Sequence, residues 1–351
     1  MQKLPSPQLP LQLATSEAES TSLELTLRAL RPVLEDPDVT EICINRPGEA
    51  FVERRTGWMR TVLPFADFDW CVRLAKLVAN ATKQSISAER PILSGWLPRG
   101  ERIQIVLPPA TTPNSVSITI RRPSDSVYSI AEMEASGLFD RCVPASETLD
   151  ETEVELATLL EERSYRDFLH LAVQSRKNIV VSGPTASGKT TFTKGLILDI
   201  PPHERLITIE DAKELVLDHH PNHVRLYYSK DGQGQAQVTP KQLLESCLRM
   251  RPDRILLAEL RSDEAYYYLR NVNSGHPGSI TSVHASSARL AFEQLMLLVK
   301  ESPGARDLAR ADVKSLLLML VDVVVQFGMG KQRRFVKKIW YDPSAKRRQH
   351  H

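Results

Sequence analysis

The sequence predicts two domains in series: a smaller α+β domain, then an α/β domain on a doubly wound, mainly parallel sheet. Three observations carry that prediction. At 351 residues the chain is long enough for about two domains with separate cores. In its first third, Arg102 to Leu107 (RIQIVL) and Val116 to Arg121 (VSITIR) alternate apolar and polar residues, as half-buried strands do. From about residue 165 the pattern changes to continuous apolar runs parted by helical segments, which is how parallel strands buried on both faces read.

Taken in order, residues 1–20 are rich in Pro, Ser, Gln and Glu without apolar periodicity and are expected to form a flexible leader. The α+β domain is placed at 21–122. Leu23, Leu27 and Leu30 fall at helical spacing ahead of Pro32, EICINRP and AFVERR read as short strands parted by Pro47 and Gly48, and Cys71 to Val78 has helical periodicity. Residues 123–164 carry the breakers Pro123 and Pro144 and a run of acids that includes Glu147, Asp150, Glu151, Glu153, Glu155, Glu161 and Glu162. They are expected to form an interdomain linker with some helix and a solvated acidic face. The α/β domain, 165–351, contains the runs NIVVSG, RLITIED, HVRLYY, RILLAEL and SITSVH, with a helix around Leu243 to Met250.

Composition removes several function classes. Hydrophobic residues at 42% and charged residues at 25% exclude a fibrous repeat or wholesale disorder. With 45 Lys and Arg against 43 Asp and Glu, the net charge of +2 provides no global cationic field for nucleic acid. Cys43, Cys71, Cys142 and Cys247 form no CxxC pair, which argues against a zinc knuckle or a disulfide framework. Pro5, Pro7 and Pro10 interrupt any signal-peptide core. The most apolar stretch, Leu316 to Phe327, is broken by Asp322 and Gln326 and falls short of the ~20 residues of a spanning helix. A soluble protein is expected.

The strongest chemical signal is Gly183-Pro184-Thr185-Ala186-Ser187-Gly188-Lys189-Thr190, a full match to GxxxxGK[ST], followed by Thr191. A strand (Ile179 to Ser182) precedes it and a helix (Thr190 to Ile200) follows, as a phosphate-binding loop requires. Glycines let backbone N–H groups wrap the β-phosphate, and the helix N-terminus adds its positive end. Lys189 then reaches the β- and γ-phosphate oxygens of ATP, and the Thr190 hydroxyl is the candidate ligand of Mg²⁺. RILLAEL ends in Glu259, with Ala258 where an Asp is more usual, so Glu259 is the candidate for orienting or deprotonating the attacking water. The strand ends at Glu210-Asp211 and at His284 face the same crevice in a doubly wound sheet.

In this order, GPTASGKTT, ITIED, ILLAELR and SGHPGSITSVHA resemble the Walker A, Asp, atypical Walker B and His boxes of the secretion (traffic) ATPase superfamily. INRPGE, ERPIL, GERIQIV and SITIRRPS, with the long linker, extend the resemblance to the traffic ATPases of type IV secretion and conjugation systems, over roughly residues 25 to 345. The resemblance implies a RecA-like P-loop ATPase domain, catalytic parts for Glu210, Glu259, Lys189 and His284, and a sensor part shared by His284 with His276. It implies a nucleotide lying between the two domains, with Arg102, Arg121 and Arg122 as candidates to reach phosphate, since a planar guanidinium binds phosphate oxygens bidentately. It further implies a homohexamer, cytoplasmic and peripheral to a bacterial inner membrane, that powers substrate transfer or apparatus assembly with the other components of the secretion machine. Against the common GxTGSGKTT pattern, Pro184 removes one N–H donor, and Ala186 is expected to cost little.

Alternatives are a pilus-type or type II secretion ATPase, a small-molecule P-loop kinase and a DNA-translocating motor. Lys331, Arg333, Arg334, Lys337, Lys338, Lys346, Arg347 and Arg348, against Asp342 alone, are expected to form a solvated hairpin and tail. Contact with anionic lipid, nucleic acid or an acidic partner is the competing reading of that basic end.

Overall fold

The structure is a computed structural model, and it describes residues 22–123, 127–143, 148–229, 233–330 and 333–347. The leader expected at 1–20 lies outside the described residues, as do Pro144, Glu147, Lys331 and Arg348. All four cysteines are free, and Cys43, Cys71 and Cys247 are buried. The chain divides into two compact units, and the division is not linear: the segment 229–238, expected within the α/β domain, groups with the first unit. There the Gln237 N–H donates to the Glu89 carbonyl at 2.8 Å.

The first unit begins with α1 (22–27) and α2 (Arg31–Leu34). The hairpin β1 (Val39–Arg46) and β2 (Glu49–Arg54) follows, turning at Pro47-Gly48, and then β3 (Gly57–Val62). Helix α3 (Phe68–Ala81) starts at Asp67, whose carboxylate accepts the Trp70 N–H at 2.7 Å, a side-chain cap on an otherwise orphan donor. It presents Trp70, Cys71, Leu74, Ala75 and Val78 on one stripe. Strands β4 (Ile92–Trp96), β5 (Arg102–Val106) and β6 (Ser117–Arg121) complete an antiparallel sheet ordered β3-β2-β1-β6-β5-β4. The apolar sides of β1, β5 and β6, such as Ile42, Ile105 and Ile118, share one core with α3 and with Leu23 and Leu27 of α1.

The second unit begins with α4 (Ile130–Ala135), α5 (Glu151–Glu161) and α6 (Tyr165–Gln174). The linker expected at 123–164 is therefore only partly a linker. Leu156 of α5 is fully buried in the same core as Phe168 of α6. The solvated acidic face also needs correction at Glu153, which is buried. It accepts the Asp150 N–H at 3.1 Å in a capping box, and its carboxylate meets the Arg347 guanidinium at 2.7 Å.

Next come β7 (Ile179–Ser182), α7 (Lys189–Leu198), β8 (Leu206–Glu210), β9 (His223–Tyr227) and α8 (Pro240–Cys247). They are followed by β10 (Arg254–Leu257), α9 (Glu264–Asn273), β11 (Ile280–Val283), α10 (Ala288–Glu301) and α11 (Arg310–Leu320). The unit closes with β12 (Val323–Met329), β13 (Arg334–Tyr341) and α12 (Pro343–Arg347). Every strand pair is parallel except β12 with β13.

The expected single sheet resolves into two ladders, β10-β8-β9 and β11-β7-β12-β13. Isolated bonds join them: the Leu260 N–H donates to the Ser282 carbonyl at 2.9 Å, and the Ser282 hydroxyl to the Ala258 carbonyl at 3.0 Å. These bonds bring the carboxyl ends of β10 and β11 side by side. The apolar stretch Leu316 to Phe327 is divided between α11 and β12. Among the described residues no helix is long and apolar enough to cross a membrane.

Candidate functional site

The loop from β7 to α7 is shaped by two glycines. A Cβ on Gly183 would stand 2.7 Å from Phe327 Cβ and 2.8 Å from Ser187 Oγ, so only glycine allows the chain that close to the neighbouring strand. Gly188, at φ +98°, takes the left-handed turn into α7. The next N–H groups, of Lys189, Thr190 and Thr191, point out of the helix start without intrahelical partners, and Phe192 is the first to bond back, to the Gly188 carbonyl at 3.0 Å. This is an anion cradle with the helix dipole behind it. The expectation for Ala186 requires correction: at φ +60° it holds a left-handed conformation that costs an alanine roughly 1–2 kcal/mol, where glycine would be unstrained.

The carboxyl ends of β7, β8, β10 and β11 surround a crevice of about 290 Å³, lined by residues 185–191, Asp211, Glu214, Glu259, Arg261, Ser282, His284 and Arg334. Lys189 is buried at its base, its ammonium donating to the Gly183 and Pro184 carbonyls at 2.9 and 3.1 Å. Burial lowers its pKa from the ordinary lysine value, opposed by the negative charge of Glu259. His284 Nδ1 lies 3.3 Å from the Lys189 ammonium, and its Nε2 lies 2.5 Å from Glu259 Oε1. The ring therefore stands between the lysine and the carboxylate, although Glu259 Oε1 makes no hydrogen bond among the described residues. Arg261 donates through Nε to Glu259 Oε2 at 2.6 Å and through Nη1 to Asp211 Oδ2 at 3.0 Å.

Lys189, Thr190, Glu259 and His284 therefore converge as the sequence predicts. Glu210 does not join them. It is fully buried: Oε1 accepts from the Thr208 hydroxyl at 2.6 Å and Arg225 at 3.3 Å, and Oε2 from the Glu214 and Leu215 N–H groups at 2.8 and 2.9 Å. Its lone pairs are committed to holding the loop after β8, and its neighbour Asp211 is the acid that enters the crevice. His276 precedes β11, whereas His284 follows it, so the two histidines lie at opposite ends of that strand; His276 Nδ1 faces the Pro252 carbonyl at 3.1 Å.

Arg102, Arg121 and Arg122 belong to the first unit. Arg102 and Arg121 sit opposite each other on β5 and β6 and are exposed, with Arg121 3.5 Å from Glu41. Arg122 is half-buried and donates to the Asp36 carbonyl. The basic end also departs from a uniform solvated tail. Lys346 meets Asp322 at 2.7 Å, Arg347 meets Glu153, and Arg334 lines the crevice.

Sequence reasoning placed Asp211 only at a strand end facing the crevice and Arg334 only in the basic C-terminal end, and gave no part to Glu214 or Arg261. Arg261 closes the ILLAELR box and Asp211 the ITIED box, so both were within reach of the pattern; Arg334 stands too far along the chain for any local pattern to reveal it.

Carboxylates suit the site to Mg²⁺. Among the described residues no three or more His, Cys, Asp or Glu side chains are grouped to hold a metal unaided. An ion held through one or two protein groups plus phosphate and water needs no such group. The exposed Thr190 hydroxyl at the start of α7 is the group best placed to serve, with Asp211 and Glu214 in the same crevice.

Comparison with known proteins gives consistent results. The family model described as "Type II/IV secretion system protein" matches residues 26–326. The chain is 48% identical to the type IV secretion system protein VirB11 of Bartonella quintana, over 94% of this chain and 96% of that protein. Against VirB11 of Brucella suis identity is 46%, over 93% and 92%. A solved structure of the VirB11 ATPase from the Brucella suis type IV secretion system, in complex with sulphate, superposes with a TM-score of 0.91 at 44% identity, covering 96% of this chain and 99% of that one.

Proposed function

The chain belongs to the type II/IV secretion system protein family, on the branch of the VirB11 ATPases of type IV secretion, and from that premise we propose that residues 183–191 hold the phosphates of ATP with Mg²⁺. The second unit acts as a RecA-like motor domain. Hydrolysis powers substrate transfer or assembly of the secretion apparatus, in a homohexamer on the cytoplasmic side of the inner membrane. The observation that carries this reading is the convergence of Lys189, His284 and Glu259 on an open helix N-terminus.

Each side chain has a part that its contacts support. The N–H groups of Lys189, Thr190 and Thr191 bind phosphate oxygens. Lys189 exchanges the Gly183 and Pro184 carbonyls for β- and γ-phosphate oxygens, a stronger, charge-assisted pairing. Thr190, with Asp211 and Glu214 in the same crevice, would hold Mg²⁺, which when bound would supply positive charge beside the phosphates. Glu259 accepts a proton from, or orients, the attacking water, while Arg261 fixes the carboxylate from its other oxygen. His284 bridges Lys189 and Glu259, so a γ-phosphate that draws the lysine away also alters the partner of the carboxylate. Arg122, engaged with the Asp36 carbonyl, is assigned to the fold.

ATP binding and steady-state turnover test the reading. Lys189→Ala is expected to lose both, and Glu259→Gln to bind ATP while turnover falls by about 10²–10⁴. Full turnover in Glu259→Gln would refute its assignment. Light scattering with an ATP analogue tests the hexamer, which a persistent monomer would contradict.

A further inference from the structure

Gln326 interrupts the most apolar stretch of the chain, and the structure buries it there, 1% exposed between Val325 and Phe327 on β12. A strand covered on both faces has no need of an amide, which is costly to desolvate. Its Nε2 donates to the Ala285 carbonyl at 3.1 Å and to the Phe327 carbonyl at 2.9 Å, and its Oε1 has no hydrogen-bond partner among the described residues. An amide with one end left unpaired is a poor device for stability alone. Two features show what the paired end does. Ala285 directly follows His284 in the short loop 284–287 between β11 and α10, where neither strand nor helix holds the chain. Since β7 lies between β11 and β12, and its last residue, Ser182, is the one paired with Gln326, the bond to Ala285 spans the carboxyl end of the central strand. The second feature is a register shift in the pairing of β12 with β13, which falls between Gln326 and Phe327. Such bulges re-aim a side chain.

We propose that Gln326 is a positioning residue for ATP hydrolysis: by holding the Ala285 carbonyl it keeps the His284 imidazole between Lys189 and Glu259. The proposal rests on the reading of His284 as the link between those two groups. Lys189 is carried by the first turn of α7, and Glu259 follows the end of β10. His284, by contrast, is exposed and stands in a loop, yet its ring must lie 3.3 Å from one group and 2.5 Å from the other. A small shift of the loop backbone would break one contact or both, and a donor fixed on a buried strand prevents that shift. Among the described residues that line the crevice Gln326 is absent, so it acts through the imidazole and not on the nucleotide.

ATP binding and steady-state hydrolysis by the full chain test this, with a melting curve to check each fold. Gln326→Met keeps the length of the side chain and removes its donors, and Gln326→Leu removes them in a second shape. Both are expected to bind ATP within about twofold of wild type while kcat falls about tenfold or more, because the imidazole is displaced and the phosphate loop is not. In a His284→Ala background the same substitutions should cost nothing further, since the residue they position is gone. A wild-type kcat in folded Gln326→Met or Gln326→Leu, a loss confined to ATP affinity, or an equal further loss in the His284→Ala background would overturn the proposal. His284→Ala alone separates the two claims: full turnover in it refutes the link on which the proposal rests, whereas a slow His284→Ala beside a fast Gln326→Met refutes the positioning role alone.

Discussion

At the two ends of its parallel strands, the second unit uses charge in opposite ways. At the amino ends the polar groups close on one another. Arg254, fully buried at the start of β10, clasps Glu204 through bonds of 2.6 and 3.1 Å. Arg205, equally buried before β8, donates to the Met250 carbonyl at 2.9 Å and the Asn222 side chain at 2.5 Å. The Asn178 side chain ties the start of β7 to the Gly278 and Ser279 N–H groups ahead of β11, and its own N–H reaches Asp322 ahead of β12.

At the carboxyl ends capacity is left over. Among the described residues Lys189 holds only loop carbonyls and a ring nitrogen, Glu259 borders open space, and the first N–H groups of α7 are unclaimed within the helix. A charged cluster that satisfies itself works as scaffold. One with donors to spare beside a cavity is where a phosphate can be gained without stripping a partner from a buried charge.

Breaking the amino-end cluster should cost stability and spare ligand binding. Glu204→Ala leaves the Arg254 guanidinium buried without its carboxylate and is expected to destabilise by about 3–5 kcal/mol in chemical denaturation. The folded protein should keep its ATP affinity, and adding Arg254→Met should recover most of the loss. An unmoved denaturation midpoint in Glu204→Ala would remove the distinction between the ends. A smaller effect of opposite sign is expected at the carboxyl end. Ala186→Gly relieves the left-handed alanine and should raise stability by up to about 1 kcal/mol, the gain being offset in part by the more flexible unfolded chain. A fall in melting temperature would show that the loop carries no such strain.

The same contrast explains what could be read from the sequence. The phosphate loop was legible because its chemistry is written in consecutive residues, and β7, β8, β10 and β11 because burial on both faces leaves mostly apolar runs, interrupted within β8 by Thr208 and within β11 by Thr281 and Ser282. Strands β3 and β4 escaped because they are the two edges of the antiparallel sheet: β3 is largely exposed and β4 contains Gly95, so neither shows a clean alternation. The adjacent acids Glu210 and Asp211 could not be ranked from their order. The partners that bury Glu210, Arg225 on β9 and the N–H groups of 214 and 215, are set by folding. Arg334 was masked by its basic neighbours, and only the β12–β13 hairpin returns it to a loop nearly 150 residues earlier.

The most direct test compares Glu210→Gln with Glu259→Gln, measuring thermal stability and single-turnover ATP hydrolysis per folded molecule in both. Glu210→Gln should lose about 1–3 kcal/mol of stability, since an amide nitrogen replaces one of its accepting oxygens, and hydrolyse ATP near the wild-type rate. Glu259→Gln should keep its stability and lose hydrolysis. A stable but inactive Glu210→Gln, or an active Glu259→Gln, would contradict the assignment of scaffold to one acid and chemistry to the other.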